Sequence, residues 1–288
     1  MKRFIIVLCV FAVTLASRIH PSQEGVNNAA DTLTAPLISS SLLMTTQMPI
    51  PGTTTLPPPP STPPLTTAGV PTEISPKNPR EEILICLDAG HGLIDPGALG
   101  QLNGATYYEK SLNLAVALRT KYELEKQGYR VLMIRTGDTS LLGGSNAGAS
   151  YKTADEAVLR RETAKRAGVD LYISIHCNAY VGDVRAYGPL VFYNSSSETT
   201  YRALSIARTF SSCFTKMNAG YAGARACDVR AGNSYIVLRE LTMPSVLLEL
   251  GFMTDEGDLS LLIREDWQAD CATAITESVE EAFMKGFI

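Results

Sequence analysis

Ile83-Leu84-Ile85-Cys86-Leu87 runs directly into Asp88-Ala89-Gly90-His91-Gly92. An unbroken apolar run of this length fits a strand buried on both faces, as in a parallel sheet covered by helices. Gly90 and Gly92 then let the backbone turn, so His91 is delivered where the strand leaves the sheet. The arrangement recurs downstream, where Asp170 to Ile175 is a second apolar strand ending on Ser174-Ile175-His176-Cys177-Asn178-Ala179. The chain has only three histidines, and two of them stand at strand ends, where open α/β sheets build their sites.

Between and beyond these strands the pattern alternates. Lys110 to Gln127 carries Leu112, Leu114, Ala115, Leu118, Tyr122 and Leu124 near helical spacing and stops at Gly128. Tyr129 to Ile134 reads as a strand, Asp155 to Ala167 as a helix, Gly188 to Tyr193 as a strand and Thr199 to Lys216 as a helix. Tyr235 to Leu238 and Val246 to Glu249 read as two further strands, and Asp266 to Met284 as a terminal helix. Strands and helices in this order predict an α/β three-layer sandwich, with a six-stranded, mostly parallel sheet between helices.

The N-terminal part of the 288-residue chain has a different composition. Lys2 and Arg3 precede an apolar run that closes at Ala16-Ser17, so residues 1–17 read as a secretory signal. The run is too short to span a bilayer, which takes roughly 20 apolar residues, and no membrane span is expected once the signal is removed. Residues 18–80 are rich in Thr, Ser and Pro, with Pro57-Pro58-Pro59-Pro60 near the centre, and predict a disordered linker. Residues 81–288 form the expected folded domain, placed by the signal in the periplasm or outside the cell. A net charge of −4 with no Lys/Arg run argues against nucleic acid as a partner.

Six cysteines include no Cys-x-x-Cys pair, which disfavours a thiolate metal cluster. Cys213 and Cys227 have a spacing that allows a disulfide in an oxidising compartment. A hydrolytic zinc site takes three His, Asp or Glu ligands and leaves one position open. His91 and His176 supply two of them. Glu109, in Tyr107-Tyr108-Glu109-Lys110-Ser111, sits where a loop passes into a helix and is the choice for the third. Glu249 ends the apolar run Val246-Leu247-Leu248, where burial raises a carboxyl pKa and suits it to shuttle protons as general base and general acid. The alternative for Glu249 is a structural ion pair, with Arg239 as partner. Asp88 either orients His91 or caps its strand.

These residues lie in motifs that together resemble the zinc-dependent N-acetylmuramoyl-L-alanine amidases of type 3: Asp88-Ala89-Gly90-His91-Gly92, Asp95-Pro96-Gly97-Ala98, Glu109-Lys110, Ser174-Ile175-His176-Cys177-Asn178-Ala179 and Glu249-Leu250-Gly251-Phe252. The similarity runs from about residue 82 to the C-terminus. By resemblance His91, Glu109 and His176 fall on the ligands of one zinc ion and Glu249 on the catalytic glutamate. The implied reaction is hydrolysis of the amide between N-acetylmuramic acid and L-alanine, with peptidoglycan as partner. Asn178 and Arg239 are weaker candidates for substrate contact. The alternatives are a zinc peptidase cutting within the stem peptide and a non-catalytic cell-wall binding module.

Two positions depart from the family pattern. Leu93 stands where the family commonly has a second glycine after the histidine, so the turn has to accept a side chain. Cys177 replaces a small residue beside His176, and strand alternation points its thiol to the other face. Some relatives carry a helical insertion that blocks the zinc, and Asn178 to Arg239 has room for little beyond one strand, one helix and loops. The expectation is a monomer with an open site that needs no obligatory activator.

Overall fold

The computed structural model describes residues 78–143, 153–182, 185–196 and 198–288. The expected signal and all but the last three residues of the expected linker lie outside them. Six strands form one sheet: β1 (Leu84–Ala89), β4 (Arg130–Met133), β5 (Leu171–Asn178), β6 (Leu190–Tyr193), β7 (Asp228–Ala231) and β8 (Ser245–Phe252), in the order β4-β1-β5-β8-β6-β7. Strands β4, β1, β5 and β8 pair in parallel, and β6 meets β8 antiparallel. The other elements are the hairpin β2 (Leu99–Leu102) and β3 (Ala105–Tyr108), and helices α1 (Glu109–Lys126), α2 (Thr153–Ala167), α3 (Thr200–Asn218), α4 (Glu256–Leu262) and α5 (Glu265–Met284). Among the described residues, no helix is long and apolar enough to cross a membrane.

Side-chain alternation divides the interior into two layers. Ile85, Leu87, Ile173, Ile175, Val246, Leu248 and Leu250 face one way and pack with Val116 of α1, Phe210 of α3 and Ile275 of α5. Cys86, Tyr172 and Leu247 face the other way, with Ala164 of α2 and with Val237 and Leu238. Burying apolar area on both faces, at about 25 cal/mol per Å², explains why the central strands carry no polar alternation. The α/β sandwich expected from the sequence is the one observed.

One expected strand is not formed. Ile236–Leu238 is a short 3-10 turn, and its Val237 and Leu238 are buried in the α2-side layer. A short apolar run satisfies a buried turn as well as a strand, so the pattern alone does not separate them. The sixth strand is β7 instead, whose Asp228-Val229-Arg230-Ala231 has the polar character of a sheet edge. The segment after β5 therefore holds two strands rather than one. The disulfide allowed by spacing is absent too: Cys213 and Cys227 are free thiols, with Cys227 buried beside Ser211 and Thr215.

The α2-side face of the sheet carries a buried polar cluster. Asp88, fully buried, accepts from Arg160 Nη1 at 2.6 Å, from Tyr172 Oη at 2.5 Å and from Ser174 Oγ at 3.2 Å. Desolvation alone would raise its carboxyl pKa, but Arg160 and the Tyr172 hydroxyl outweigh burial and hold it below the usual 3.8. Asp88 thus anchors α2 to β1 through Arg160 and does not touch His91, contrary to the role as its orienting group. Removing one partner of a buried pair leaves the other uncompensated. Asp88→Asn is expected to destabilise the protein by roughly 3 kcal/mol, since Glu156 still contacts Arg160 at 3.1 Å. A depressed folded-state pKa contributes stability above the unfolded value of about 3.9 and loses it as pH falls through the folded one. Urea titrations should therefore show a constant gap between wild type and variant from neutral pH to about 5, narrowing below about 4.

Candidate metal centre

Parallel pairing of β5 with β8 sets His176 opposite Glu249, and β6 places Leu190 on Glu249's other side. His91 follows β1, the neighbour of β5, while His176 and Glu249 lie within β5 and β8, which run on to Asn178 and Phe252; β8 thus extends three residues beyond the strand end expected at Glu249. The fourth expected site residue arrives from above. The hairpin β2–β3 carries the chain out from β1 and returns it at Tyr108, and α1 begins on Glu109 itself. A carboxylate at the first residue of a helix is favoured by the exposed N–H groups there.

Donor atoms of His91, Glu109 and His176 all lie within 4.8 Å of one another. His91 Nε2 is 3.2 Å from Glu109 Oε2, and His176 Nδ1 is 2.9 Å from Glu109 Oε1. The two rings meet edge to face with centroids 4.9 Å apart. Glu109 also accepts from Ala98 N at 2.7 Å, Cys177 N at 3.0 Å and Asn113 Nδ2 at 3.1 Å. Burial would raise its pKa, but the two imidazoles outweigh burial and hold it well below the usual value. Burial lowers and the Glu109 and Asp95 carboxylates raise the His91 pKa, and the balance lifts it to about 10.

The residue that orients His91 is Asp95, whose Oδ2 meets His91 Nδ1 at 2.8 Å while its Oδ1 accepts from Gly97 N at 3.0 Å. That leaves Nε2 facing Glu109 and His176. A ligating histidine normally needs its second nitrogen held in this way. Asp95 stands four residues after His91 in a motif already singled out, so its charge beside a turning histidine was the available signal. Asn113, one helical turn beyond Glu109, was likewise missed: it donates to Glu109 and receives a contact from the Cys177 thiol at 3.4 Å. Cys177 lies in the α1-side layer, on the face opposite His176, as alternation requires.

Glu249 is 6% exposed and its Oε2 is buried with no hydrogen-bond partner among the described residues. Burial first, and the Glu109 charge next, push its pKa well above the ordinary carboxylate value. Among the described residues no ion pair joins it to Arg239, the partner that the structural alternative named. Asn178 turns its side-chain oxygen back to the Ala179 N–H at 2.8 Å.

Two imidazoles, one carboxylate and an orphaned buried carboxylate oxygen beside them fit a divalent ion with borderline ligand preferences. Close approach requires glycine nearby: a Cβ on Gly90 would lie 2.2 Å from His176 Cε1, and one on Gly97 would lie 2.5 Å from Glu109 Oε2. Leu93, where the family pattern has glycine, adopts φ 53°. Its N–H donates to Asp138 Oδ1 at 2.6 Å and its carbonyl accepts from Lys110 Nζ at 2.7 Å, which holds the unusual turn.

The sequence model of the N-acetylmuramoyl-L-alanine amidase family matches residues 85–281, more than half of the chain. The chain belongs to the N-acetylmuramoyl-L-alanine amidase family. Among curated members, it is 28% identical over 200 residues to the germination-specific N-acetylmuramoyl-L-alanine amidase of Bacillus subtilis, covering 69% of this chain and 79% of that one. Of solved amidases, the CwlD amidase of Clostridioides difficile, in complex with the GerS lipoprotein, is similar with TM-score 0.60 and 27% identity over 70% of this chain and 99% of that one. The catalytic domain of CwlV from Bacillus (Paenibacillus) polymyxa var. colistinus is similar with TM-score 0.58 and 28% identity, over 70% and 98%.

If Asp95 orients a metal-binding His91, Asp95→Ala should weaken divalent-ion affinity about 10- to 100-fold. Isothermal titration would register this directly. Unchanged affinity would remove Asp95 from the site.

Proposed function

We propose that this amidase is zinc-dependent, with His91, Glu109 and His176 holding one zinc ion and Glu249 moving the protons of hydrolysis. The observation that carries the reading is the convergence of the three donor groups within 4.8 Å next to the unpartnered Oε2 of Glu249. The family reaction is hydrolysis of the amide that joins N-acetylmuramic acid to L-alanine in peptidoglycan. A bound zinc ion supplies a Lewis acid and brings the pKa of water toward about 7.

The chain's own residues do the rest. Glu249 reaches the site from the middle strand of three, fixed on both sides by β5 and β6. Its raised pKa suits it to accept a proton from the attacking water and then give it up. As water oxygen bonds to the amide carbon and the C–N bond breaks, Glu249 delivers that proton to the departing nitrogen. The products are the lactyl carboxylic acid on the sugar and the free α-amine of the peptide. Asp95 keeps His91 in one orientation throughout.

The family match favours the muramyl amide over a bond within the stem peptide. A binding module has no use for a buried, unpaired Glu249 beside three metal-ligand side chains, since such a carboxylate costs stability without return. Relatives that act on the cell wall support action outside the cytoplasm, which agrees with export by residues 1–17 and a spacer at 18–80. We further propose a monomer whose site is open without an activator. His91 and His176 keep 18% and 19% of their side chains exposed, and α3, the helix between β6 and β7, packs against α5 and β6.

Glu249→Gln should leave zinc bound and lower turnover of purified sacculi at least about 100-fold. Near wild-type turnover would refute the assignment. Mass spectrometry of the wild-type digest should find intact stem peptides with free N-terminal alanine; shortened peptides left on the glycan would point to a peptidase. Stimulation of the pure chain by an added cell-envelope protein from near zero activity would contradict the open site.

A further inference from the structure

Arg135 lies two residues beyond the end of β4, is 5% exposed, and has no carboxylate within ion-pair distance among the described residues. Burial, then repulsion from Arg160, lowers its pKa to about 10. A buried guanidinium without an anionic partner is costly, so its contacts need a reason. Every hydrogen bond it makes goes to a backbone carbonyl: Nε to Ala89 at 2.8 Å, Nη1 to Gly137 at 3.0 Å, and Nη2 to Gly90 at 2.9 Å and Lys110 at 2.7 Å.

The two acceptors of Nη2 decide the matter. Gly90 immediately precedes His91, and Lys110 immediately follows Glu109. One nitrogen therefore joins the main chain beside the first metal ligand to the main chain beside the second. The turn it grips does not keep its shape by preference. His91, Gly92 and Leu93 have φ of 63°, 143° and 53°, and left-handed backbone costs a non-glycine residue about 1–2 kcal/mol. Lys110 also reaches across this gap to Leu93, but through a flexible stem with a single point charge. Arg160 grips Ala89 and His91 from the α2 side and makes no bond to α1. Arg135 alone among these spans both main chains with a rigid planar group.

We propose that Arg135 is a positioning residue that sets the separation of His91 and Glu109 before the metal arrives. This rests on the reading that those two side chains, with His176, hold zinc. The test uses the full chain with Arg135→Lys and Arg135→Gln. Zinc affinity is measured by competition with a chromogenic chelator, folding by circular dichroism, and ligand geometry by the absorption spectrum of the cobalt-substituted protein. Both variants should fold, bind zinc about 10- to 100-fold more weakly and show an altered cobalt spectrum. Lysine should not rescue, because it keeps the charge and loses the fork. If both variants match wild type in affinity and spectrum, the positioning role is overturned while the metal assignment stands. If lysine restores wild-type affinity, or if neither variant folds in excess zinc, Arg135 is a general brace and the proposal also falls. A wild-type chain that binds no zinc overturns the metal assignment and the proposal with it.

Discussion

The Glu109 carboxylate is the point at which the molecule closes on itself. It is 3% exposed, lies between two imidazoles, and accepts hydrogen bonds from three separate segments: Ala98 of the loop before β2, Asn113 of α1 and Cys177 of β5. A buried carboxylate is unfavourable unless it is ionised among donors, and here the donors are those that a metal site needs. The same contacts that make the charge tolerable fix where α1 begins, how the hairpin returns and which way His176 points. Fold and site are therefore one constraint rather than a scaffold with chemistry added.

A second layer supports it from beneath. Asp88 and Arg160 tie β1 to α2, Arg160 continues to the carbonyl of His91, and Asp138 and Lys110 hold Leu93. The turn at His91, Gly92 and Leu93 has consecutive residues with positive φ, so it stores strain that the surroundings must offset. The cationic side chains around it hold backbone: of the ten hydrogen bonds made by Arg135, Arg160 and Lys110, seven end on carbonyl oxygens.

The central strands were legible because burial on both faces leaves β1, β5 and β8 mostly apolar, and the histidines and glutamate beyond or in their later halves then stand out. Glu109 was legible by its place at a loop-to-helix junction. The hairpin β2–β3 was not read, although Asn103-Gly104 at its tip, with φ of 51° and 77°, is a strong turn signal. Its strands have only four residues each, too few for an alternation to show. Edge strand β7 escaped for a similar reason, and Ile236–Leu238 was over-read because a short apolar run serves a buried turn equally well. Asp88 pairs with Arg160 across 72 residues of sequence. No local pattern carries that information, whereas Asp95 beside His91 was within reach of it.

The most direct test is a crystal structure of the chain grown with zinc and recorded at the zinc absorption edge. The account predicts one anomalous peak bonded at about 2.0–2.2 Å to His91 Nε2, one oxygen of Glu109 and a ring nitrogen of His176, with Glu249 adjacent and unbonded. A peak lacking any of those three ligands, or none at this end of the sheet, would contradict it.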